Sequence, residues 1–112
     1  GVHVEVALAD AAAYLGLPHR WGMTTPDGVV GGAHAGYRVY ACQDGRVAMA
    51  ALEPHFALAL CKAAGVAVVD RNTMMAPATH ETIARFIASQ TRRQMNALAV
   101  ARDIPLLTLP DL

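Results

Sequence analysis

The chain has 112 residues, enough for one small domain, and 54% of them are hydrophobic, so it can build a core. Alanine and valine supply much of that apolar content, and small side chains bury little area each. Nine basic residues balance nine acidic ones, and Arg92-Arg93 is the longest basic cluster, so the sequence lacks the basic stripe of a nucleic-acid binder.

Residues 2–6 alternate Val2, Val4 and Val6 with His3 and Glu5, and this period of two predicts a short strand. The alanine-rich run 7–15 predicts a helix that stops near Gly16 and Pro18. Residues 19–28, with Pro26 and Asp27-Gly28, read as a loop, and 29–36 as a flexible segment containing Gly31-Gly32 and Gly36. Residues 37–42 and 46–51 read as two strands joined by a turn at Gln43-Asp44-Gly45. Asp-Gly favours a hairpin because both residues tolerate positive φ. Tyr37 and Tyr40 are an odd number of residues apart, so they fall on opposite faces of their strand.

Glu53-Pro54 predicts a helix start, since proline loses nothing in the first turn and an acidic neighbour favours the helix N-terminus. The helix covers 55–64 and ends at Gly65, with Phe56, Leu60 and Ala63 on one face. Residues 66–77 show no clear pattern. Thr79 is the expected cap of a helix reaching Ser89, with Ile83, Phe86 and Ile87 as its apolar stripe. Thr91 and Gln94 form a capping-box pattern, T-x-x-Q, ahead of a helix to about Arg102 with Met95, Leu98 and Ala99 facing inward. Prolines 105 and 110 make the last segment extended, an expected edge piece. The fold class that follows is α+β, an antiparallel hairpin or small sheet with about four helices packed on one side.

The chemistry-bearing residues are few. Cys42 and Cys61 match no zinc or redox spacing and read as reduced thiols of a cytoplasmic protein. His3, His19, His34, His55 and His80 are scattered, with no H-x-x-x-H pair, so no metal site is expected. His34 and His55 are candidates for lining a pocket, and His80 reads as an exposed residue at a helix start. Met49, Met74, Met75 and Met95 read as core filler. No apolar run is long enough for a spanning helix, and no membrane role is expected.

Several segments, taken in order, resemble the class III CoA-transferase and α-methylacyl-CoA racemase family. The distinctive ones are Gly36-Tyr37-Arg38-Val39-Tyr40, Asp44-Gly45-Arg46 and Ala51-Leu52-Glu53-Pro54-His55-Phe56, similar to the family's YxxY strand, its ADGR-like turn and its VGALEPxF junction. The opening run from Val4 to Ala11 resembles the family's VDVSLLDAA segment. Thr91-Arg92-Arg93-Gln94-Met95 and Asp103-Ile104-Pro105-Leu106 resemble the family's RTRAEW helix and the extension after it. Ala7, Ala50 and Met95 stand where the family has Ser, Gly and Trp.

The resemblance implies the family's small domain at residues 17–112, with 1–16 as the segment crossing from a large domain absent here. The start at Gly1 without a Met also reads as a cut from something longer. It further implies acyl-CoA thioester substrates, no metal or redox cofactor, and a homodimer of the full-length protein. Glu53 falls on the Glu of the GALEP motif, which implies a carboxylate near the reacting α-carbon; read locally, it is a helix-start residue. Gly31 and Gly32 fall where the family's glycine-rich loop covers substrate, with His34 and His55 near them; read locally, the glycines are an ordinary loop. In the racemases a His and an Asp of the large domain move the α-proton, and in the transferases an Asp of the large domain attacks the thioester. The ALEP string leans toward the racemase branch. The other reading is a non-catalytic binding or assembly module that keeps the small-domain fold.

Overall fold

The computed structural model describes residues 1–67 and 70–110. The chain is α+β, with helices α1 (Leu8–Leu15) and α2 (Leu17–Arg20), strands β1 (Tyr37–Cys42) and β2 (Gly45–Ala50), helices α3 (Pro54–Ala64), α4 (Arg71–Met75), α5 (Pro77–Ala88) and α6 (Arg92–Arg102), and strand β3 (Leu106–Leu109). Among the described residues, four of the six helices, α1, α3, α5 and α6, are eight residues or longer. They are the helices expected from the sequence.

The sheet is antiparallel, in the order β1-β2-β3. Cys42 pairs with Gly45 at the hairpin end, and Met49 pairs with Arg38 on one side and Leu106 on the other. The turn departs from the expected geometry. Among the described residues Asp103 is the one non-glycine with positive φ, so Asp44 does not use that freedom, and Gly45 alone does, at φ 151°. A β-carbon on Gly45 would lie 2.3 Å from the Leu109 carbonyl oxygen, so glycine lets β3 close on the hairpin.

The two sheet faces differ. Tyr40, Val47 and Met49 point inward and are buried, while Tyr37, Val39, Ala50 and Leu107 remain exposed on the outer face. The inner face packs against α5 and α6, and α3 and α4 pack on α5. Leu60, Cys61, Met74, Ile83, Ile87 and Met95 complete the core. At about 25 cal/mol per Å2 of apolar area, each large side chain in this layer contributes roughly 1.5–3 kcal/mol relative to exposure. Met49, Met74 and Met95 are core filler as expected.

Local signals set several boundaries. Gly65, at φ 79°, ends α3. Thr91 and Gln94 form the reciprocal capping box of α6, with the Thr91 hydroxyl accepting from the Gln94 backbone N–H at 3.2 Å and the Gln94 side-chain Oε1 accepting from the Thr91 N–H at 2.8 Å. Asp44 adds to this end. Its Oδ1 accepts from the Arg92 N–H at 2.7 Å, and its Oδ2 lies 3.5 Å from Arg92 Nε. The hairpin turn is thereby fastened to the start of α6.

Other expectations are corrected. Residues 2–6 form no strand; Val2, Val4 and Val6 are exposed, because no neighbouring strand pairs with them. Pro18 begins α2 instead of ending structure, since proline fits a helix's first turn, and the expected loop 19–28 therefore begins inside a helix. Residues 29–31 form a 3-10 turn, and Gly31 is packed closely; a β-carbon there would fall 1.7 Å from the Thr25 carbonyl oxygen. Within 66–77, Asp70 caps α4 by accepting from the Thr73 N–H and hydroxyl, and Met74 enters the core. Part of that unpatterned stretch, 68–69, lies outside the described residues. Thr79 is not a cap: α5 starts at Pro77 after Ala76, and Thr79 is buried inside the helix.

Candidate functional site

Two concavities flank the segment 33–36. The larger is an open groove of about 1150 Å3. Its floor is the sheet, through Tyr37, Val39, Ala48 and Leu107 of the outer register and Arg38, Met49 and Leu106 of the inner one. One wall is the turn carrying Val30, Gly31 and Gly32, and the other is the start of α5 at Pro77, His80 and Glu81. Among the described residues, Arg38 is the one arginine or lysine in its lining. The smaller cavity, about 480 Å3, is lined by His34, Leu52, Pro54, Ala57, Asp70, Met74 and Val29.

The segment between them is pinned by short hydrogen bonds. The Ala35 N–H donates to the Met74 carbonyl at 2.8 Å, and the Tyr40 hydroxyl donates to the Ala35 carbonyl at 2.7 Å. The Gly36 N–H donates to Nδ1 of His34 at 3.0 Å, and the Ala51 N–H donates to the Gly36 carbonyl at 2.7 Å. The last bond sets the His34 segment beside the strand-to-helix junction that carries Glu53.

Electrostatics follow from this packing. Burial, and then the nearby His80, hold the His34 imidazole below its ordinary pKa, so it is neutral and accepts from Gly36. Burial pushes the Tyr40 phenol up to about 12, against a small opposing pull from Arg38. The Cys61 thiol is raised by burial, the state of a structural cysteine rather than a nucleophile.

The sequence-derived candidates are therefore divided. Gly31 and Gly32 line the groove, and His34 lines the smaller cavity. Glu53 precedes α3 with an extended backbone and is exposed, and its carboxylate makes no capping hydrogen bond. His55 is exposed on the first turn of α3, its ring centroid 3.8 Å from that of Phe56. Neither Glu53 nor His55 lines the groove.

His80 is the residue that sequence reasoning missed. It is half-buried, and its Nε2 lies 2.7 Å from the Ala33 carbonyl oxygen while its Nδ1 lies 3.2 Å from an Arg38 guanidinium nitrogen. These partners are 47 and 42 residues away, so no local pattern marks the position. Among the described residues no three His, Cys, Asp or Glu side chains gather as a metal-holding group, and no helix is long and apolar enough to cross a membrane.

No curated protein matches the chain at a significant level. The family model for CoA-transferase family III matches residues 1–111, nearly the whole sequence. The chain thus belongs to CoA-transferase family III, a family of enzymes that handle acyl-CoA.

Proposed function

We propose that this chain forms one wall of the substrate site of an acyl-CoA enzyme, a CoA-transferase or a 2-methylacyl-CoA racemase, and that a large domain supplies the proton-transfer or nucleophilic groups. The observation that carries this reading is the groove of about 1150 Å3, with its apolar sheet floor and glycine wall. Such a surface suits an acyl chain. A lining with one arginine does not suit the phosphate-rich nucleotide end of CoA, which would then rest on the large domain.

Glu53, which lies outside the groove lining, is the carboxylate that the family resemblance assigns to the reaction. Removing a proton beside a thioester needs a base on one face, a proton donor on the other and support for the enolate between them. An exposed carboxylate beside the pinned 33–36 segment is available to a facing domain for one of these roles. Residues 1–16 are the crossing segment to that domain, and the exposed apolar side chains on them support this: Val2, Val4, Val6, Leu8, Tyr14 and Leu15 are all at least 71% exposed. In the full-length protein a homodimer would cover such surface, in the cytoplasm.

A titration of the chain with acyl-CoA thioesters of increasing chain length tests the groove by NMR. Gly31, Gly32, Val39 and Leu107 resonances are expected to shift together, with affinity rising with acyl length. No shift at millimolar ligand, or shifts confined to other surfaces, overturns it.

A further inference from the structure

We propose that His80, as a neutral imidazole protonated on Nε2, is a positioning residue that holds the glycine wall of the groove and fixes the Arg38 guanidinium at the groove's α5 side. The function assigned to it rests on the reading of the groove as an acyl site; its chemistry rests on two partners of fixed polarity. A backbone carbonyl only accepts, so the Ala33 oxygen 2.7 Å from Nε2 requires a proton on that nitrogen. A guanidinium only donates, so the Arg38 nitrogen 3.2 Å from Nδ1 requires a lone pair there. The two contacts together select one tautomer of the neutral ring.

Each contact acts on a wall of the groove. Ala33 directly follows Gly31-Gly32, so the bond to its carbonyl ties the turn to α5 across the groove. Arg38 lies on β1, and its bond to Nδ1 fixes the direction of that guanidinium in the lining.

Protonation of His80 leaves the Ala33 bond intact and turns the Arg38 contact into a meeting of two donors and two positive charges. The charged and titratable groups around His80 are Arg38 on β1, His34 on the segment between the cavities, and Glu81 on its own helix. Acidification is therefore expected to free Arg38 from the wall while the turn stays tethered.

Gln at this position separates positioning from titration, because its amide has one donor and one acceptor and carries no charge at any pH. Long-range imidazole NMR spectra of the whole chain, without ligand, are expected to show His80 as the Nε2-protonated tautomer at neutral pH. On acidification the Arg38 side-chain N–H signals move on the same curve as the His80 ring. In H80Q the neutral-pH positions of Arg38, Gly31 and Gly32 signals are retained and this pH response is lost. In H80L they are displaced at every pH.

An Nδ1-protonated His80, or an Arg38 pH response that persists in H80Q, overturns the proposal. The outcome is separate from that of the acyl-site reading: if no acyl-CoA binds at any pH while these spectra hold, the groove's function fails and the positioning role stands.

Discussion

Two helices that both carry apolar residues at helical spacing behave differently in this molecule. In α1, LADAAAYL, no residue is buried; in α5, PATHETIARFIA, Thr79, Ile83 and Ile87 are buried. Both have apolar residues at helical spacing, so amphipathicity alone does not decide burial. What decides it is a facing surface. α5 lies against β1, α3 and α4, whereas α1 touches little beyond α2. The global dimensions carry the same contrast. The radius of gyration is 17.2 Å and the longest extent 56 Å, against about 13 Å expected for a compact chain of this length. Stability is expected to reside in residues 33–110, and the apolar side chains before them have work to do only against another surface.

The strongest way to break this comparison is truncation of the same residue type in both regions. Leu60 and Ile83 are fully buried, and Leu60→Ala or Ile83→Ala should cost about 2–5 kcal/mol, from lost transfer energy plus the cavity left behind. Leu8 and Leu15 are 89% and 79% exposed, and their replacement by Ala should stay within about 0.5 kcal/mol. Urea denaturation of the four variants reads both. A large loss at Leu8 would mean that the N-terminal helix is part of the folding unit.

Gly45→Ala comes next. The new methyl would meet the Leu109 carbonyl oxygen at 2.3 Å, on a backbone whose φ of 151° disfavours a side chain. Strain of about 1–3 kcal/mol is expected, with opening of the β2–β3 pairing. Hydrogen exchange at Thr108 and Leu109 measures it. The analogous Gly22→Ala, at φ 74° with nothing near its new methyl, should leave exchange in the sheet unchanged, which keeps the contrast between the two regions sharp.

These cases show what the sequence makes legible. The hairpin, the Gly65 end of α3, the Thr91–Gln94 box and the Tyr37/Tyr40 division were readable because each rests on neighbours within a few residues. The alternation at 2–6 misled because it records a face to be buried and not whether a partner strand is present. α4 and the role of His80 were unreadable for the opposite reason. α4 is five residues long and too short for periodicity, and His80 gains its partners only when β1 and the segment 33–36 fold against α5. The resemblance pointed to Gly31 and Gly32, which line the groove, but not to His80 across from them.

A smaller effect comes from the two titrating groups that hold the 33–36 segment. The folded-state pKa of His34 is lowered, so the unfolded chain binds a proton more readily. Its contribution to stability is therefore complete above the unfolded value of about 6.5 and is lost as pH falls below that. Tyr40 behaves in the opposite sense. Its folded value is raised to about 12, so its contribution is complete below about 10 and fades as pH climbs between the two. Tyr40→Phe removes the alkaline loss and, by leaving the Ala35 carbonyl without its donor, should cost about 1–3 kcal/mol at neutral pH. Stability measured across pH in the wild type and Y40F checks both signs. An alkaline limb that survives in Y40F would assign it to another group.

The smallest expected effect concerns Asp44, at the exposed junction of hairpin and α6. The Arg92 backbone N–H, with its guanidinium as a secondary influence, holds the carboxyl below its ordinary value. A lowered carboxylate adds stability above the unfolded value of about 3.9, lost progressively as pH falls below it. Asp44→Asn retains an oxygen that can accept from the Arg92 N–H and removes only the charge, so it should flatten this acid limb by lowering neutral stability slightly, towards the level the wild type reaches in acid. Added salt should weaken the guanidinium contribution in the wild type and have little effect in D44N, because the pair lies at the surface. A D44N variant that loses hydrogen-exchange protection at Arg92 would instead show that the charge, and not the geometry of the acceptor, fastens the hairpin to α6.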